Sequence, residues 1–305
     1  MIGAHRRQRG VAVVVAVLVV ALATSTASYI LWHQSLWIRQ VENLADRAQA
    51  DALARAAASW AAVILAADDP AVDHLGEPWA RRIPPFAAER AELAGAIGDE
   101  QAKLNVNNLA RDGGASPQDL VAFQRLLASI GLPAAVAEAV LDWLDADTEA
   151  TVPNGAEDQY YLARDPAHRA ANRRVLDVGE LARVKGLDAA LVARLAPFVT
   201  ALPEATPVNV NTAPPQVLRA IVPSLTPEGA ARIVAARPFA SREAFLRALP
   251  TPPSAPIDAQ IDVRSRYFSA EATVRLGRVV AGYRALFERD DRGAPGLVTM
   301  SQVAI

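Results

Sequence analysis

Residues 6–31 read RRQRGVAVVVAVLVVALATSTASYIL, and this stretch decides how the rest of the chain is organised. A basic tip ends at Gly10, and the apolar run Val11–Leu31 follows with only hydroxyl side chains as polar interruptions. The length of this run matches the roughly 20 residues that an α-helix needs to cross a bilayer. The arginines before it favour a cytoplasmic N-terminus. No glycine or proline follows before residue 70, so we predict one helix, Val11–Asp69.

Beyond the membrane the predicted helix becomes amphipathic. Apolar side chains recur there in steps of three and four residues, while charged residues occupy the other faces. The apolar stripe consists of Ile38, Val41, Ala45, Ala48, Ala52, Ala56, Trp60 and Val63. We expect a globular body to rest on this stripe, so that one helix is both a membrane anchor and the spine of a domain.

The composition excludes several classes of site. The chain has 305 residues, a formal net charge of −2 and no cysteine. The absence of cysteine excludes disulfides, thiolate zinc sites and cysteine nucleophiles. The nearly balanced charge, with no long basic run, argues against bulk electrostatic binding of nucleic acid.

Two parts of the chain favour β-strands. Prolines and glycines exclude a long helix from residues 70–87, and strands are predicted at Arg90–Ile97 and Ala102–Val106. Near the C-terminus, β-branched and aromatic residues with an intervening turn predict an antiparallel meander. Its segments are Val263–Leu276, Arg278–Arg289 and Gly296–Val303.

Between these strands the sequence repeats a helical pattern. Lys103–Asn108 and Pro207–Thr212 both contain Asn-Val-Asn, and each leads into a helix, a tight turn and a second helix. A third helical pair is predicted from Val178–Val184 and Ala189–Val199. We therefore expect residues 105–250 to form a helical domain of repeated helix–turn–helix units.

A cluster of carboxylates occurs in residues 142–158, with no lysine or arginine among them. Its members are Asp142, Asp145, Asp147, Glu149, Glu157 and Asp158. Such a cluster must stay solvated or share a cation, and calcium prefers six to eight oxygen ligands on a flexible loop. The spacing is not that of an EF-hand, because Ala150 and Ala156 stand where that loop has glycine and glutamate. A calcium site and a solvated acidic loop both remain open from these residues.

No catalytic arrangement stands out. Asp145–Thr148 reads D-A-D-T and approaches the D-x-D-x-T motif of phosphatases with an aspartate nucleophile, but it ends a predicted helix, whereas that chemistry needs the end of a buried strand. No spacing supports a Ser/His/Asp arrangement, and no glycine loop could cradle a phosphate. We expect no enzymatic activity.

The basic tip that ends in Gly10 and directly abuts the apolar helix resembles a type IV prepilin leader. The resemblance implies cleavage between Gly10 and Val11 by the prepilin peptidase of that superfamily, which contains type IV pilins and type II secretion pseudopilins. One position departs from the pattern, since Val15 is the fifth residue after the cut, where most members carry glutamate.

Four further motifs resemble the K-type minor pseudopilins of type II secretion systems. They are A-K-L-N-V-N-N-L at 102–109, D-W-L-D-A-D at 142–147, G-A-E-D-Q-Y-Y at 155–161 and P-V-N-V-N-T-A at 207–213. The resemblance covers nearly the whole chain and includes the missing glutamate. A buried charge needs a partner, so Val15 is consistent with a subunit that has no neighbour above it, at the tip of a pseudopilus.

This resemblance implies the partners and a metal. The partners would be the I-type and J-type minor pseudopilins, the major pseudopilin, the prepilin peptidase and the inner-membrane secretion platform, with no nucleic acid. The family binds calcium, and the ligands carried over to this sequence are Asp142, Asp145, Asp147, Glu157 and Asp158. The subunit would help to initiate pseudopilus assembly and the export of folded proteins.

The expected fold is α+β, with a long membrane-spanning N-terminal helix packed on a small antiparallel sheet, as in pilins. Residues 1–10 would be the leader and 11–33 the transmembrane half of the helix. The pilin-like domain would comprise 34–104 and 251–305. Residues 105–250 would be an inserted domain of helix-hairpin-helix or SAM-like units. The expected location is the bacterial inner membrane, with a single pass and periplasmic C-terminal domains.

The alternative is a membrane-anchored DNA-binding protein. Asn209–Leu249 resembles the helix-hairpin-helix of competence DNA receptors. Such hairpins normally use two glycines so that backbone N–H groups can approach a phosphate, whereas the turn Ser224–Pro227 has none. We expect the helical shape without the phosphate contacts.

Overall fold

The computed structural model describes residues 5–88, 90–111, 113–253 and 255–303. Within these residues the helices are α1 (His5–Ala66), α2 (Pro117–Ser129), α3 (Val136–Leu144), α4 (Asp158–Leu162), α5 (Ala189–Leu195), α6 (Pro215–Ile221), α7 (Pro227–Ala235) and α8 (Arg242–Ala248). The strands are β1 (Ile83–Ala88), β2 (Ala91–Asp99), β3 (Leu104–Asn105), β4 (Ala110–Arg111), β5 (Gly114–Ala115), β6 (Val199–Thr200), β7 (Val208–Asn209), β8 (Ile261–Asp262), β9 (Tyr267–Leu276), β10 (Val279–Arg289) and β11 (Pro295–Val303).

Helix α1 is one uninterrupted element that begins six residues before the predicted start and ends three residues before the predicted end. Its apolar part, from Val11 onward, has a mean hydropathy of 2.4 over its best window, and no residue of that window is buried in the protein. The hydroxyls of Thr24 and Thr26 donate to the carbonyls of Val20 and Leu22 at 2.8 Å, so these polar groups stay satisfied in an apolar setting. The helix therefore has the length and surface of a membrane anchor.

A five-stranded antiparallel sheet packs against the second half of α1, in the order β1-β2-β9-β10-β11. Strands β2 and β9 lie side by side from the pair Ala91–Leu276 to the pair Asp99–Phe268. The chain therefore leaves the sheet after β2, forms the helical part and returns to the sheet at β9. The predicted α+β fold with a long N-terminal helix and an antiparallel sheet is confirmed.

Strand β1 was not expected from the sequence. Its two prolines, Pro84 and Pro85, exclude a helix, but they are tolerated in a strand at the edge of a sheet, where one row of backbone N–H groups has no partner strand. Two other segments are shorter or tighter than predicted. The strand expected at Ala102–Val106 is reduced to β3. The helix expected at Val178–Val184 is a short 3-10 helix, Val178–Arg183, which is held to the core by Leu181 and by Val184 directly after it.

The predicted apolar stripe of α1 is wrong. The face that packs on the sheet consists of Ala50, Ala54, Ala58, Ala61 and Leu65. The larger side chains of the predicted stripe stay largely exposed. Trp60 is 48% exposed and meets Phe86 of the edge strand β1 edge to face, with ring centroids 6.4 Å apart, and Val63 is 65% exposed. Alanine allows the helix backbone to come close to a sheet whose own side chains, such as Phe268 and Tyr283, are bulky.

The helical part has a large apolar core. Buried asparagines fix the two places where distant segments of this part meet as short parallel strands, which are called crossings below. Short parallel pairs join β3 to β6 and β7 to β8. At the first crossing Asn107 donates to the carbonyls of Val175 and Leu202 at 3.0 and 2.8 Å. At the second, Asn211 donates to the carbonyl of Phe239 at 3.0 Å. The two Asn-Val-Asn segments are therefore structural, since they satisfy buried backbone groups.

A buried polar junction joins α1, the sheet and the helical part. Asp99, at the end of β2, accepts hydrogen bonds from Asn209, Thr212 and Ser265 at 2.6–3.1 Å. Arg289, at the end of β10, pairs with Asp68 at 3.1 Å and with Asp73, and both carboxylates follow α1. Their contacts hold the helical part at the end of α1 that lies away from the membrane anchor.

Glu100 continues this junction. Its buried carboxylate pairs with Lys103 at 3.2 Å and with Arg284 of β10 at 2.6 Å, and it accepts from the hydroxyl of Thr200 at 2.8 Å. Burial alone would raise the pKa, but the charges of Lys103 and Arg284 outweigh it and lower the pKa of Glu100 to about 2. The folded protein therefore favours ionised Glu100.

Replacing Glu100 with glutamine should lower the stability at pH 7 by about 3 kcal/mol, because two partly buried cations lose the buried carboxylate that they share. The pKa of Glu100 is lower in the folded than in the unfolded chain, so its contribution is full above pH 4.5 and is lost as the pH falls towards about 2. Thermal unfolding of the full chain in detergent should show the gap between the wild type and Glu100→Gln closing over that range. The matched control is Glu92→Gln, which removes an exposed carboxylate of β2, the strand that ends directly before Glu100. A gap that is independent of pH would contradict the role assigned to Glu100.

Candidate metal centre

The acidic residues lie on the loop between α3 and α4, and an aromatic contact holds its two ends together. Trp143, in the last turn of α3, meets Tyr161 of α4 edge to face, with ring centroids 5.0 Å apart. Asp145 follows α3 directly, and Glu157 directly precedes α4. The aromatic pair therefore brings together carboxylates that are twelve residues apart in the sequence.

Asp142 organises the loop because its side-chain carboxylate binds backbone amides of the loop. Its carboxylate is fully buried and accepts from the amides of Thr151 at 3.1 Å and Ala156 at 2.6 Å. Gly155 lies so close that a Cβ there would stand 2.1 Å from a carboxylate oxygen of Asp142. The loop can therefore close around Asp142 only with glycine at this position. The oxygens of Asp142 are occupied by backbone donors.

Three of the five predicted ligands come together. Asp145, Asp147 and Glu157 can each place one carboxylate oxygen within 4.8 Å of the others. Asp145 is 4% exposed and Glu157 is 5% exposed, whereas Asp147 is open to solvent. One oxygen of Asp145 and both oxygens of Glu157 are buried and have no hydrogen-bond partner among the residues that the structure describes.

The fifth predicted ligand, Asp158, points elsewhere. Its carboxylate accepts from the amide of Ala170 at 3.0 Å and pairs with Arg169 at 3.5 Å. Asp158 therefore fixes the segment that follows α4, and it is not a member of the three-carboxylate cluster. Asp158 and Glu157 are adjacent in the sequence, so the sequence alone could not show that only Glu157 faces the cluster.

Asn172 belongs to the site and was missed by the sequence analysis. Its side-chain N–H donates to the carbonyl of Asp147 at 2.6 Å, and its side-chain oxygen is buried without a partner in the described part of the chain. Its backbone φ of 43° lies in the left-handed region, which asparagine tolerates better than most residues. No local pattern marks Asn172, because a long stretch of chain separates it from the acidic residues.

The electrostatics of the cluster suit a cation. Burial, and then the charges of Asp147, Asp142 and Glu157, raise the pKa of Asp145 to about 7. Burial and then the charge of Asp142 also raise the pKa of Glu157. Oxygens that surround a calcium ion at 2.3–2.6 Å lie up to about 5 Å apart, which the spacing of the three carboxylates allows. The residues present therefore fit a hard cation with oxygen ligands.

A second acidic group, Asp68, Asp73 and Glu77, has a different character. Arg289 already pairs with both Asp68 and Asp73. Glu77 accepts from the indole N–H of Trp79 at 2.6 Å and from the amide of His74 at 2.9 Å. This group is part of the buried junction.

The other predicted site lies in α1. Gly10 and Val11, which flank the predicted cut, both belong to this helix. Residues 1–4 of the predicted leader lie outside the described residues. The fifth position after the predicted cut is Val15, an exposed apolar residue of the anchor.

The comparisons with known proteins agree on one family. The family model described as "Type II secretion system (T2SS), protein K" matches residues 102–204 and 208–264 in two parts. Type II secretion system protein K of Pseudomonas aeruginosa is 38% identical over 90% of this chain and 86% of its own length. The proteins of the same name from Klebsiella pneumoniae and Aeromonas hydrophila are 34% and 32% identical, and each match covers at least 93% of both chains.

A solved structure shares the fold. A chain of the GspK-GspI-GspJ complex from the type 2 secretion system of enterotoxigenic Escherichia coli superimposes with a TM-score of 0.76 and 24% identity, over 87% of this chain and all of the matched chain. These matches favour secretion over the DNA-receptor alternative. The chain belongs to the type II secretion system protein K family and is a minor pseudopilin of that system.

Proposed function

We propose that this chain is the tip subunit of the pseudopilus and has no enzymatic activity of its own. Prepilin peptidase would remove residues 1–10, and the mature chain would join I-type and J-type minor pseudopilins, the major pseudopilin and the inner-membrane platform. In this position it would help to initiate pseudopilus assembly and the export of folded proteins. The related structure has GspI and GspJ in its complex, and the proposal extends these partners to the present chain.

The exposed apolar stripe of α1 carries the proposal. The alanine face of the helix is used by the sheet, whereas Ile38, Val41, Trp60 and Val63 remain 48–65% exposed. These residues lie on the part of α1 that follows the membrane-spanning run. Large exposed apolar side chains in such a row are typical of a surface that another helix covers. The stripe therefore suits parallel contact with the N-terminal helices of partner pseudopilins.

A tip position agrees with two further features. Val15 carries no charge at the position where most pseudopilins have glutamate, so it needs no partner above it in the membrane. The helical part is attached at the end of α1 opposite the anchor, through Asp73, Asp99 and Arg289. A bulky body there would obstruct another subunit stacked on top.

The proposed topology is a single pass through the inner membrane. The basic tip before Gly10 would stay in the cytoplasm, and the sheet and helical part would lie in the periplasm. The proposed domain division remains 34–104 and 251–305 for the pilin-like part and 105–250 for an insertion. Its helical pairs are proposed to be of the helix-hairpin-helix or SAM-like kind.

The proposed metal is calcium, held by Asp145, Asp147 and Glu157. Asn172 supplies a further oxygen, and bound calcium would neutralise the mutual repulsion of the three carboxylates. Asp142 instead accepts from a backbone amide of the loop, and Asp158 accepts from the amide of Ala170 in the segment after α4. The ion would act structurally, by joining the end of α3 to the start of α4.

Calcium should raise the thermal midpoint of the full chain in detergent, and a chelator should reverse the effect. A ligand at a hundred times its Kd adds about 2.7 kcal/mol of stability. The variant Asp145→Asn/Glu157→Gln should lose this response. In chelator it should be at least as stable as the wild type, because it removes buried repulsion between carboxylates. Scanning calorimetry with and without calcium measures both effects.

Two single variants serve as controls for the calcium site. Glu149→Gln removes an exposed carboxylate of the same loop, and Asp158→Asn removes a carboxylate outside the cluster. Both should retain the calcium response. An unchanged wild-type midpoint with calcium would contradict the site, and loss of the response in Asp158→Asn alone would contradict the choice of ligands.

Processing can be tested by the intact mass of the membrane form, with and without co-expressed prepilin peptidase. The expected result is a new terminus at Val11 that appears only with the peptidase. A Gly10→Leu variant should stay uncut, because the substitution places a bulky side chain at the last position of the leader. The control Ala4→Leu should be cut like the wild type. A retained Met1 in both wild-type samples would instead indicate an uncleaved signal anchor.

A further inference from the structure

A groove of about 620 Å³ opens on the helical part beside the acidic loop. One wall is formed by the segment from Tyr160 to Arg173, and the other by Glu180–Leu187. Aromatic rings form its base, since Tyr161 lies between Trp143 at 5.0 Å and His168 at 5.3 Å, measured between ring centroids. The proposed contacts of α1 and the proposed calcium site do not involve this groove.

The rim of the groove is strongly basic for a chain with a net charge of −2. The basic residues that line it are Arg164, Arg169, Arg173, Arg183 and Lys185, against the two carboxylates Asp165 and Glu180. Arg173 pairs with Glu180 at 3.1 Å. Within the described residues, no carboxylate lies within 4.0 Å of Arg164 or Arg183. Two guanidinium groups are therefore available for anionic groups from outside.

The walls of the groove are preformed. Lys185 donates to the carbonyls of Asn154 and Gly155 at 3.2 and 3.0 Å and stands 5.2 Å from the ring centre of Tyr160. The guanidinium of Arg164 lies 5.5 Å from the same ring centre. One tyrosine ring thus supports two cations, an arrangement that holds Arg164 over the groove at little entropic cost on binding.

Two buried polar groups at the base have no partner. Trp143 is 3% exposed, and its indole N–H makes no hydrogen bond with any described residue. The ring nitrogen Nε2 of His168 is also buried without a partner, while Nδ1 faces the carbonyl of Pro166 at 3.0 Å. Buried polar groups are normally satisfied; these two atoms lie beneath the surface of the groove and give its base a polar character without touching a bound chain.

We propose that this groove binds an acidic, extended segment of another polypeptide chain. Carboxylates of the segment would pair with Arg164 and Arg183, since guanidinium binds carboxylate through two parallel hydrogen bonds. An aromatic side chain of the segment would lie against Tyr160 and Tyr161. A continuous polyanion such as nucleic acid fits less well, because Asp165 and Glu180 in the same rim repel it, whereas a peptide can place neutral residues there.

The test uses the full chain in detergent and a fluorescently labelled peptide of sequence Glu-Asp-Trp-Glu-Asp-Glu. Its matched control peptide is Gln-Asn-Trp-Gln-Asn-Gln. Fluorescence anisotropy should show saturable binding of the acidic peptide and at least tenfold weaker binding of the neutral one. The variant Arg164→Glu/Arg183→Glu should weaken binding of the acidic peptide at least tenfold. The control variant Arg232→Glu/Arg247→Glu, with two exposed arginines on α7 and α8, should leave it unchanged.

Four results would overturn the proposal. Equal loss of binding in both double variants would indicate general charge attraction. Equal binding of the two peptides would remove the role of the carboxylates. Tighter, Arg164-dependent and Arg183-dependent binding of a twelve-nucleotide oligothymidine would make the groove a nucleic-acid site. Self-association of the wild type that disappears in the groove variant would identify a second copy of this chain as the occupant.

Discussion

The close packing of the alanine face of α1 on the sheet is the constraint on which the rest of the structure depends. Ala50, Ala54 and Ala58 bring the helix backbone against the side chains of the sheet. Large apolar side chains of the same helix, such as Val41 and Val63, take no part in this contact and are left on its outer surface. One helix can thus span the membrane, carry the sheet and still offer a surface to neighbouring subunits.

The buried polar junction extends this rigidity to the helical part. Asp99 and Arg289 occupy the last positions of β2 and β10, the two strands that flank β9. Asp99 accepts from Asn209 and Ser265, and Arg289 pairs with two carboxylates in the chain that follows α1. A junction of paired charges is expensive to break once buried. The helical part therefore has a fixed position at the end of α1, which the proposed place at the tip of the pseudopilus requires.

The sequence predicted the elements whose signals are local. The apolar run of α1, the meander and the acidic loop all depend on neighbouring residues, and each is present in the structure. The buried face of α1 was predicted wrongly because alanines occur on both sides of this helix, so that hydropathy did not separate the exposed Ala52 and Ala56 from the buried Ala54 and Ala58. The roles of Asp158 and Asn172 could not be separated from sequence, because they depend on contacts between distant segments.

The central claim is that the exposed stripe of α1 and the helical body make this chain a single tip subunit. The most direct test is to co-express the chain with I-type and J-type minor pseudopilins, solubilise the membranes in detergent and measure the resulting complex by native mass spectrometry. The account predicts a complex that contains one copy of this chain, and that complex should be lost when Val41 and Val63 are both changed to lysine. Several copies of this chain in one complex, or a complex that survives the double change, would contradict it.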